Sequence, residues 1–215
     1  MPNNHLIPAV LAETAKKAQA RINRLSSLGD ILHLDIMDGR LVSDKSFGQD
    51  ALTRLKLPKK VGLHLMVKNP EQWVSVCKLK NIKRLIIHVE SKITSNLAAS
   101  LNKYFDLVIA IKPGTSIEKL TPYKNHTKTF MVMTVHPGRQ GRKFLSKQLS
   151  IIRRLRKKYP KHNIMVDGGM NEVTIPKAKK AGADDFILGS VLKNSNNPKT
   201  TYKNLTKIYR STKRG

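Results

Sequence analysis

The sequence contains little cysteine, few aromatic residues, few acidic residues and no long apolar stretch. Its single cysteine, Cys77, excludes an intrachain disulfide framework and a cluster of cysteine metal ligands. No apolar run approaches the roughly 18 residues that a membrane-spanning helix needs, so we expect no transmembrane segment. Residues 1–5 lack the basic and apolar blocks of a signal peptide, which predicts a cytoplasmic protein.

The shortage of acid makes the chain strongly basic, with 41 Lys and Arg against 14 Asp and Glu and a net charge of +27. Such a field attracts phosphates and nucleic acid. The basic residues are spread along the whole chain, however, and aromatic residues, which stack on bases, make up only 5% of it. We therefore expect no membrane partner, and nucleic-acid binding only as a non-specific electrostatic interaction.

Short apolar runs alternate with longer amphipathic segments along the chain. The runs predict strands at 6–11, 31–37, 61–67, 84–89, 107–112, 129–135, 163–167 and 185–189. A short helix is expected near 49–56, and Pro198 is placed to begin a last helix. The clearest helical pattern spans 143–158, where one face carries Leu145, Leu149, Ile152 and Leu155.

Eight apolar runs, each followed by a helix or loop, predict parallel strand–helix units. A (β/α)8 barrel, with residues 1–215 in one catalytic domain, is therefore the leading architecture. An open, doubly wound sheet is the second, although no Gly-x-Gly-x-x-Gly turn follows the first strand.

Histidines and acids recur at the carboxyl ends of three predicted strands. His33 and Asp35, two residues apart, share one face of the second strand; His64 lies on the third and Asp167 ends the seventh. In a barrel, the carboxyl ends of the strands build the active site. A lone strand histidine is more often a hydrogen-bonded core residue than a ligand. Two imidazoles and two carboxylates at one mouth instead predict a site for zinc, manganese or iron.

Seven motifs occur in order over essentially the whole chain: LHLDIMDG (32–39), GLHLMV (62–67), IIHVE (86–90), AIKPGTS (110–116), VMTVHPG (132–138), VDGG (166–169) and LGS (188–190). This combination resembles the ribulose-phosphate 3-epimerase family, whose barrels are of the ribulose-phosphate-binding type. The resemblance implies a cytoplasmic isomerase of the pentose phosphate pathway. It would interconvert D-ribulose 5-phosphate and D-xylulose 5-phosphate through an enediolate.

The resemblance also implies residue roles. One divalent ion (Zn, Fe, Mn or Co) would be held by His33, Asp35, His64 and Asp167, and the two aspartates would be the acid–base pair. The reacting carbon would be covered by Met37, Met66 and Met133, although methionines also serve as fillers of a barrel core. Family members are usually homo-oligomers, and we expect the same here.

The phosphate of the substrate is expected at the loops that follow the seventh and eighth strands. The loop at 137–142 reads PGRQGR where the family usually reads PGFGGQ, and Ala9 stands where the family usually has serine. We hypothesise that an arginine of this loop pairs with the phosphate; the alternative is a surface loop that follows the general basic bias. The predicted substrate-binding residues are His64, Gly138, Arg139, Gly141, Arg142, Gly168, Gly169, Gly189 and Ser190.

Two other functions stay open. A sister 3-epimerase would act on a six-carbon ketose phosphate of the allulose 6-phosphate type, an alternative that the altered loops make credible. A degenerate barrel without catalysis could bind RNA through its basic surface, although it would not need to retain all four residues of the predicted metal site.

Overall fold

The computed structural model describes residues 5–138 and 141–215, and within these ranges eight parallel strands form a closed barrel. They are β1 (Leu6–Val10), β2 (Leu32–Met37), β3 (Val61–Met66), β4 (Arg84–His88), β5 (Asp106–Ile111), β6 (Thr129–Met133), β7 (Asn163–Asp167) and β8 (Asp185–Leu188). Each strand pairs with its neighbours in sequence, and β1 also pairs with β8. The predicted (β/α)8 barrel is confirmed. The open-sheet alternative is wrong, because this closure leaves no free edge.

In the same ranges eight α-helices accompany the strands. They are α1 (Ala15–Leu25), α2 (Gln49–Arg54), α3 (Val74–Leu79), α4 (Ser95–Leu101), α5 (Gln148–Lys158), α6 (Thr174–Lys180), α7 (Ser190–Lys193) and α8 (Pro198–Ser211). Short 3-10 helices cover Pro70–Trp73 and Ile117–Tyr123, and the second of these connects β5 to β6. None of the helices in the described part of the chain is long and apolar enough to cross a membrane.

Local chemistry determines where several helices begin. The hydroxyl of Thr14 accepts a hydrogen bond from the backbone N–H of Lys17 and so caps α1. Helix α8 begins at Pro198 as predicted, and the side chain of Asn197 caps it by accepting from the Thr200 N–H.

The helix predicted over 143–158 is shorter than expected. Helix α5 begins at Gln148, and β6 ends at Met133 rather than at 135. The backbone N–H of Leu145 donates to the Thr134 carbonyl over 2.8 Å, and the Gln148 side chain donates to the Met133 carbonyl over 2.9 Å. These bonds to the end of β6 hold residues 143–147 in a loop, despite their helical pattern.

Alternation along the strands sorts side chains between two cores. A large apolar core includes residues of the strands and the surrounding helices. A smaller one lies inside the barrel and contains Ile7, Ala9, Ile86, Val108, Ala110, Met131, Met133, Val135, Met165 and Ile187. On β2, β3 and β4 the buried alternating positions instead include His33, His64 and His88. One side of the barrel interior is therefore polar.

The turn after β7 holds Asp167 at the barrel mouth. The backbone N–H of Thr134 donates to the Asp167 carbonyl over 2.7 Å, and the Thr134 hydroxyl donates to the Gly168 carbonyl over 2.6 Å. Gly168 has a φ of +116°, and a Cβ there would lie 2.4 Å from Val135 Cγ2. Only glycine fits this close approach without displacing its neighbours.

We predict that Gly168→Ala lowers the free energy of unfolding by about 1–3 kcal/mol, because the added methyl group overpacks against Val135 at a backbone angle that alanine disfavours. Urea denaturation of metal-free protein measures this change. Gly48→Ala is the matched control, since a Cβ at Gly48 meets nothing within 4 Å. Equal losses in the two variants would contradict the prediction.

Candidate active site

The structure brings together His33, Asp35, His64 and Asp167, with one donor atom from each within 4.8 Å of the others. Asp35 Oδ1 lies 3.0 Å from His33 Nε2 and 3.0 Å from His64 Nδ1. The two imidazole nitrogens are 3.2 Å apart, and Asp167 Oδ2 lies 3.5 Å from His64 Nδ1. These four groups form the His/Asp cluster.

Strand register explains why these residues meet. Asp35 on β2 pairs with His64 on β3, so their side chains lie at the same height in the barrel. His33 shares the inward face of β2 because side chains alternate along a strand. Asp167 is the last residue of β7 and reaches the cluster from the other side of the barrel.

The electrostatics of the cluster favour a positive charge among these groups. Burial alone would raise the pKa of Asp35, but the positive field and hydrogen bonds of His33 and His64 hold it well below its usual range. Burial alone would lower the pKa of His64, but its contacts with Asp167 and Asp35 raise it to about 9. A divalent cation would satisfy the same demand by replacing the proton on His64 Nδ1.

The spacing of the donor atoms fits a divalent ion. Metal–ligand distances of about 2.0–2.2 Å place neighbouring ligand atoms about 3–3.5 Å apart, which matches the contacts of 3.0, 3.2 and 3.5 Å in the cluster. Imidazole and carboxylate ligands together suit zinc, manganese and iron. These residues could therefore hold one such ion.

A pocket opens from the cluster towards the loops of the barrel mouth. Its empty volume is about 480 Å³, open solvent included, and Asp35 and Asp167 both line it. Two of the three methionines predicted to cover the substrate, Met66 and Met133, also line this pocket. Met37 instead lines an adjacent cavity, which shares Leu11 and Gly138 with the first.

The residues predicted to bind the phosphate line the same pocket; they are Gly138, Gly141, Arg142, Gly168, Gly169, Gly189 and Ser190. Arg142 Nη2 lies 4.0 Å from Asp44 Oδ2, and the side chain of Arg142 is 41% exposed. Arg139 lies outside the described residues. Ala9, which stands where the resembled family usually has serine, is also part of the lining.

Sequence reasoning assigned no role to His88 and Glu90, although both lie next to the cluster. His88 Nε2 is 2.8 Å from His64 Nε2, and His88 Nδ1 is 3.2 Å from Glu90 Oε2. The available signal was the His-x-Glu spacing at the end of β4, which repeats the His-x-Asp spacing of His33 and Asp35 on β2. The residues of this second pair extend the hydrogen bonding of the cluster behind His64.

Comparisons with known proteins show which family this sequence matches. Residues 5–193 match the model of the ribulose-phosphate 3 epimerase family. The cytoplasmic isoform of ribulose-phosphate 3-epimerase from Oryza sativa subsp. japonica is 34% identical over 194 residues, which cover 86% of this chain and 85% of that protein. The ribulose-phosphate 3-epimerase of Eremothecium gossypii is 31% identical over 201 residues, covering 86% and 84%.

Solved structures support the fold. The structure of KGPDC from Streptococcus mutans aligns with a TM-score of 0.71 at 13% identity, over 96% of this chain and 97% of that one. The 3-hexulose-6-phosphate synthase of Salmonella typhimurium aligns with a TM-score of 0.67 at 13% identity, covering 97% and 100%. At these identities the likeness concerns the barrel alone.

Glu90 gives the fold a testable pH dependence. Burial would raise its pKa, but hydrogen bonds from His88 and Thr115 lower it to about 2 from 4.5. The ionised carboxylate therefore stabilises the fold above pH 4.5, and this contribution is lost as the pH falls towards 2. We predict that Glu90→Gln has a lower free energy of unfolding than the wild type near neutral pH. This difference in free energy should shrink as the pH falls from 4.5 towards 2.

Urea denaturation of chelator-treated protein at a series of pH values measures that difference. Glu118→Gln is the control, because Glu118 is exposed and its carboxylate contacts Lys158 on the barrel surface. A stability difference for Glu90→Gln that stays constant between pH 4.5 and 2 would contradict the prediction.

Proposed function

The chain belongs to the ribulose-phosphate 3-epimerase family, and on that premise we propose that it interconverts D-ribulose 5-phosphate and D-xylulose 5-phosphate. One observation carries the proposal: a single pocket joins two carboxylates of a buried His/Asp cluster to glycine-containing loops and an arginine. Such a pocket suits a small sugar with a reactive polar end and an anionic end.

The reaction inverts C3 of a ketose, next to the C2 carbonyl. The proton on C3 is only weakly acidic, and its removal places negative charge on the oxygen of C2. A divalent ion held by His33, Asp35, His64 and Asp167 would supply the positive charge that stabilises the enediolate.

Inversion needs proton removal on one face of C3 and proton return on the other. We assign these roles to Asp35 and Asp167, which reach the pocket from β2 and β7, with β1 and β8 between them. One carboxylate takes the C3 proton and leaves the electron pair in the enediolate. The other, protonated at the start, gives its proton to the opposite face. The two aspartates exchange these roles when the reaction runs in the other direction.

The apolar part of the pocket protects this chemistry. Met66 and Met133 are each 3% exposed and line the pocket beside the two carboxylates. Their side chains would exclude water from the reacting carbon, so that C3 exchanges protons with the aspartates, and the aspartates exchange theirs with solvent between turnovers. The polarizable thioethers also adapt to the planar enediolate without offering it a competing proton.

The phosphate would lie at the opposite end of the pocket. The small residues Gly168, Gly169, Gly189 and Ser190 allow backbone N–H groups to approach an anion. Arg142 adds a guanidinium that can bind phosphate oxygens through charge-assisted hydrogen bonds.

A six-carbon ketose phosphate is a second candidate substrate. Ala9 lines the pocket where the family usually has serine, so this chain offers less side-chain volume and one fewer hydroxyl at that point. A coupled assay that supplies both five- and six-carbon phosphates, with and without chelator, tests the substrate and the metal requirement together. We expect turnover of ribulose 5-phosphate that chelator abolishes; faster turnover of the six-carbon substrate would reassign the specificity.

Exchange with solvent tests the two-carboxylate mechanism. We predict that substrate incubated with the protein in D2O gains deuterium at C3, and that Asp35→Asn or Asp167→Asn slows this exchange by orders of magnitude. Mass spectrometry of the recovered sugar measures the label, and the metal content of each variant is determined in parallel. Near-wild-type exchange in both variants would refute the assignment.

Kinetics test the role of Arg142. Arg142→Ala should raise KM about 10-fold, because it removes a charge-assisted contact to the phosphate. Arg40→Ala is the matched control, an exposed arginine in the loop after β2 that does not line the pocket. An unchanged KM in Arg142→Ala would show that Arg142 does not bind the phosphate and belongs only to the general basic bias of the sequence.

A further inference from the structure

A chain of hydrogen bonds leads away from the His/Asp cluster towards the wall of the barrel. His64 Nε2 and His88 Nε2 are 2.8 Å apart, and His88 Nδ1 lies 3.2 Å from Glu90 Oε2. Glu90 Oε1 then accepts from the backbone N–H of Lys112 over 3.1 Å and from the Thr115 hydroxyl. The side chains of His64 and His88 are at most 1% exposed, so water has little access to their shared contact.

The partners of Glu90 determine the direction of these bonds. An ionised carboxylate only accepts hydrogen bonds, so His88 Nδ1 must carry a proton and donate it. Neutral His88 then has an acceptor at Nε2, and His64 must donate to it from its own Nε2. With the Nε2 proton fixed in this way, the proton on Nδ1, which faces Asp35 and Asp167, is the one that a cation would replace.

The orientation of the rings supports an in-plane bond between His64 and His88. The ring centres are 5.0 Å apart and the nearest nitrogens are 2.8 Å apart. The difference between these two distances is about the sum of two imidazole ring radii. The two nitrogens therefore lie close to the line between the ring centres, and the planes differ by only 12°. Imidazole N–H groups and lone pairs lie in the ring plane, as this geometry requires.

The contact between His33 and His64 is different. Their planes differ by 63°, and their nearest nitrogens are 3.2 Å apart beside Asp35 Oδ1. These nitrogens converge on a common point, as two ligands of one ion do. His88, in contrast, lies against the nitrogen of His64 that faces away from that point, so it is not a fifth ligand.

We infer that His88 and Glu90 are positioning residues, which hold His64 in the tautomer whose Nδ1 is available to bind the ion. The inference rests on the divalent-ion site of the proposed function. Ligating histidines commonly donate their second N–H to an acceptor, and loss of that acceptor typically costs 10–100-fold in metal affinity. Here the acceptor is a second histidine, and its own orientation is set by the carboxylate of Glu90.

Glu90→Gln should reverse the direction of the hydrogen bonds between Glu90, His88 and His64, with little change in side-chain size. The N–H of Lys112 and the hydroxyl of Thr115 both donate, so the amide oxygen of the glutamine would face them and its NH2 would face His88. His88 would then carry its proton on Nε2, opposite the Nε2–H of His64. Relief of that clash moves the proton of His64 to Nδ1, the nitrogen that the ion needs.

Cobalt binding measures this effect without relying on turnover. Co²⁺ is titrated into chelator-treated protein, and its affinity and visible absorption spectrum are compared between wild type and Glu90→Gln. We expect affinity to fall about 10–100-fold and the spectrum to change. The control for a general loss of stability is Thr127→Val. It removes a buried hydroxyl that donates to the carbonyl of Leu107 on β5, and both residues are distant in sequence from the residues of the His/Asp cluster. It should bind Co²⁺ as the wild type does.

A pair of variants at His88 keeps the test decisive if Glu90→Gln does not fold. A glutamine at this position can donate to Glu90 and accept from His64, whereas a leucine can do neither. His88→Gln should therefore retain clearly more Co²⁺ affinity than His88→Leu. Equal losses in the two would overturn the inference.

Ring-nitrogen NMR of the zinc-loaded wild type reads the tautomers directly. The expected result is a proton on Nε2 of His64 and on Nδ1 of His88. A proton on Nε2 of His88, or wild-type Co²⁺ binding by folded Glu90→Gln, would overturn the positioning role while leaving the metal site intact. Failure of the wild type to bind Co²⁺ would overturn the metal site itself, and this inference with it.

Discussion

The contacts of Asp35 with His33 and His64 are the interaction on which the site depends. A carboxylate buried in a barrel interior costs several kcal/mol unless charge and hydrogen bonds compensate it. Two imidazoles at 3.0 Å supply that compensation and hold the pKa of Asp35 low. The remaining features follow: an acid that stays ionised, nitrogens that converge on one point, and a polar side in an otherwise apolar barrel interior.

Much of the fold and the cluster was accessible from sequence because both obey period-two alternation. A strand that reads His-Leu-Asp-Ile-Met places His33 and Asp35 on one face, and barrel closure brings His64 and Asp167 to the same mouth. The bounds of an element were predicted less well where hydrogen bonds between residues distant in sequence compete with the local apolar pattern. The spacing of apolar residues from Leu145 onwards predicted a helix. The backbone N–H of Leu145 instead donates to the Thr134 carbonyl, and the helix begins only at Gln148.

His88 and Glu90 show what such patterns cannot reveal. Their spacing is visible in the sequence, but their role depends on which nitrogen of His64 faces the cluster and on the tilt between two ring planes. It also depends on Lys112 and Thr115, whose hydrogen bonds to Glu90 cross from β4 to the loop after β5. Met37 is a second example: it lies two residues after Asp35 on β2, yet it lines the adjacent cavity rather than the pocket of Met66 and Met133.

The charge of the chain raises the question of how a cation could bind to a protein with a net charge of +27. The answer lies in distance. The exposed lysines and arginines act through solvent, where salt screens their field over about 8 Å, whereas the donor atoms of the cluster lie within 4.8 Å of one another in a buried site. The carboxylates there would offset much of a divalent charge locally, and neutral imidazoles would add ligands without adding charge. The outer field would act instead on an anionic substrate, whose phosphate it would attract towards the protein. A buried His/Asp cluster within a basic chain thus separates the two tasks of the proposed reaction: a cation held in the cluster would stabilise the developing enediolate, and the positive charge of the surface would attract the anionic sugar.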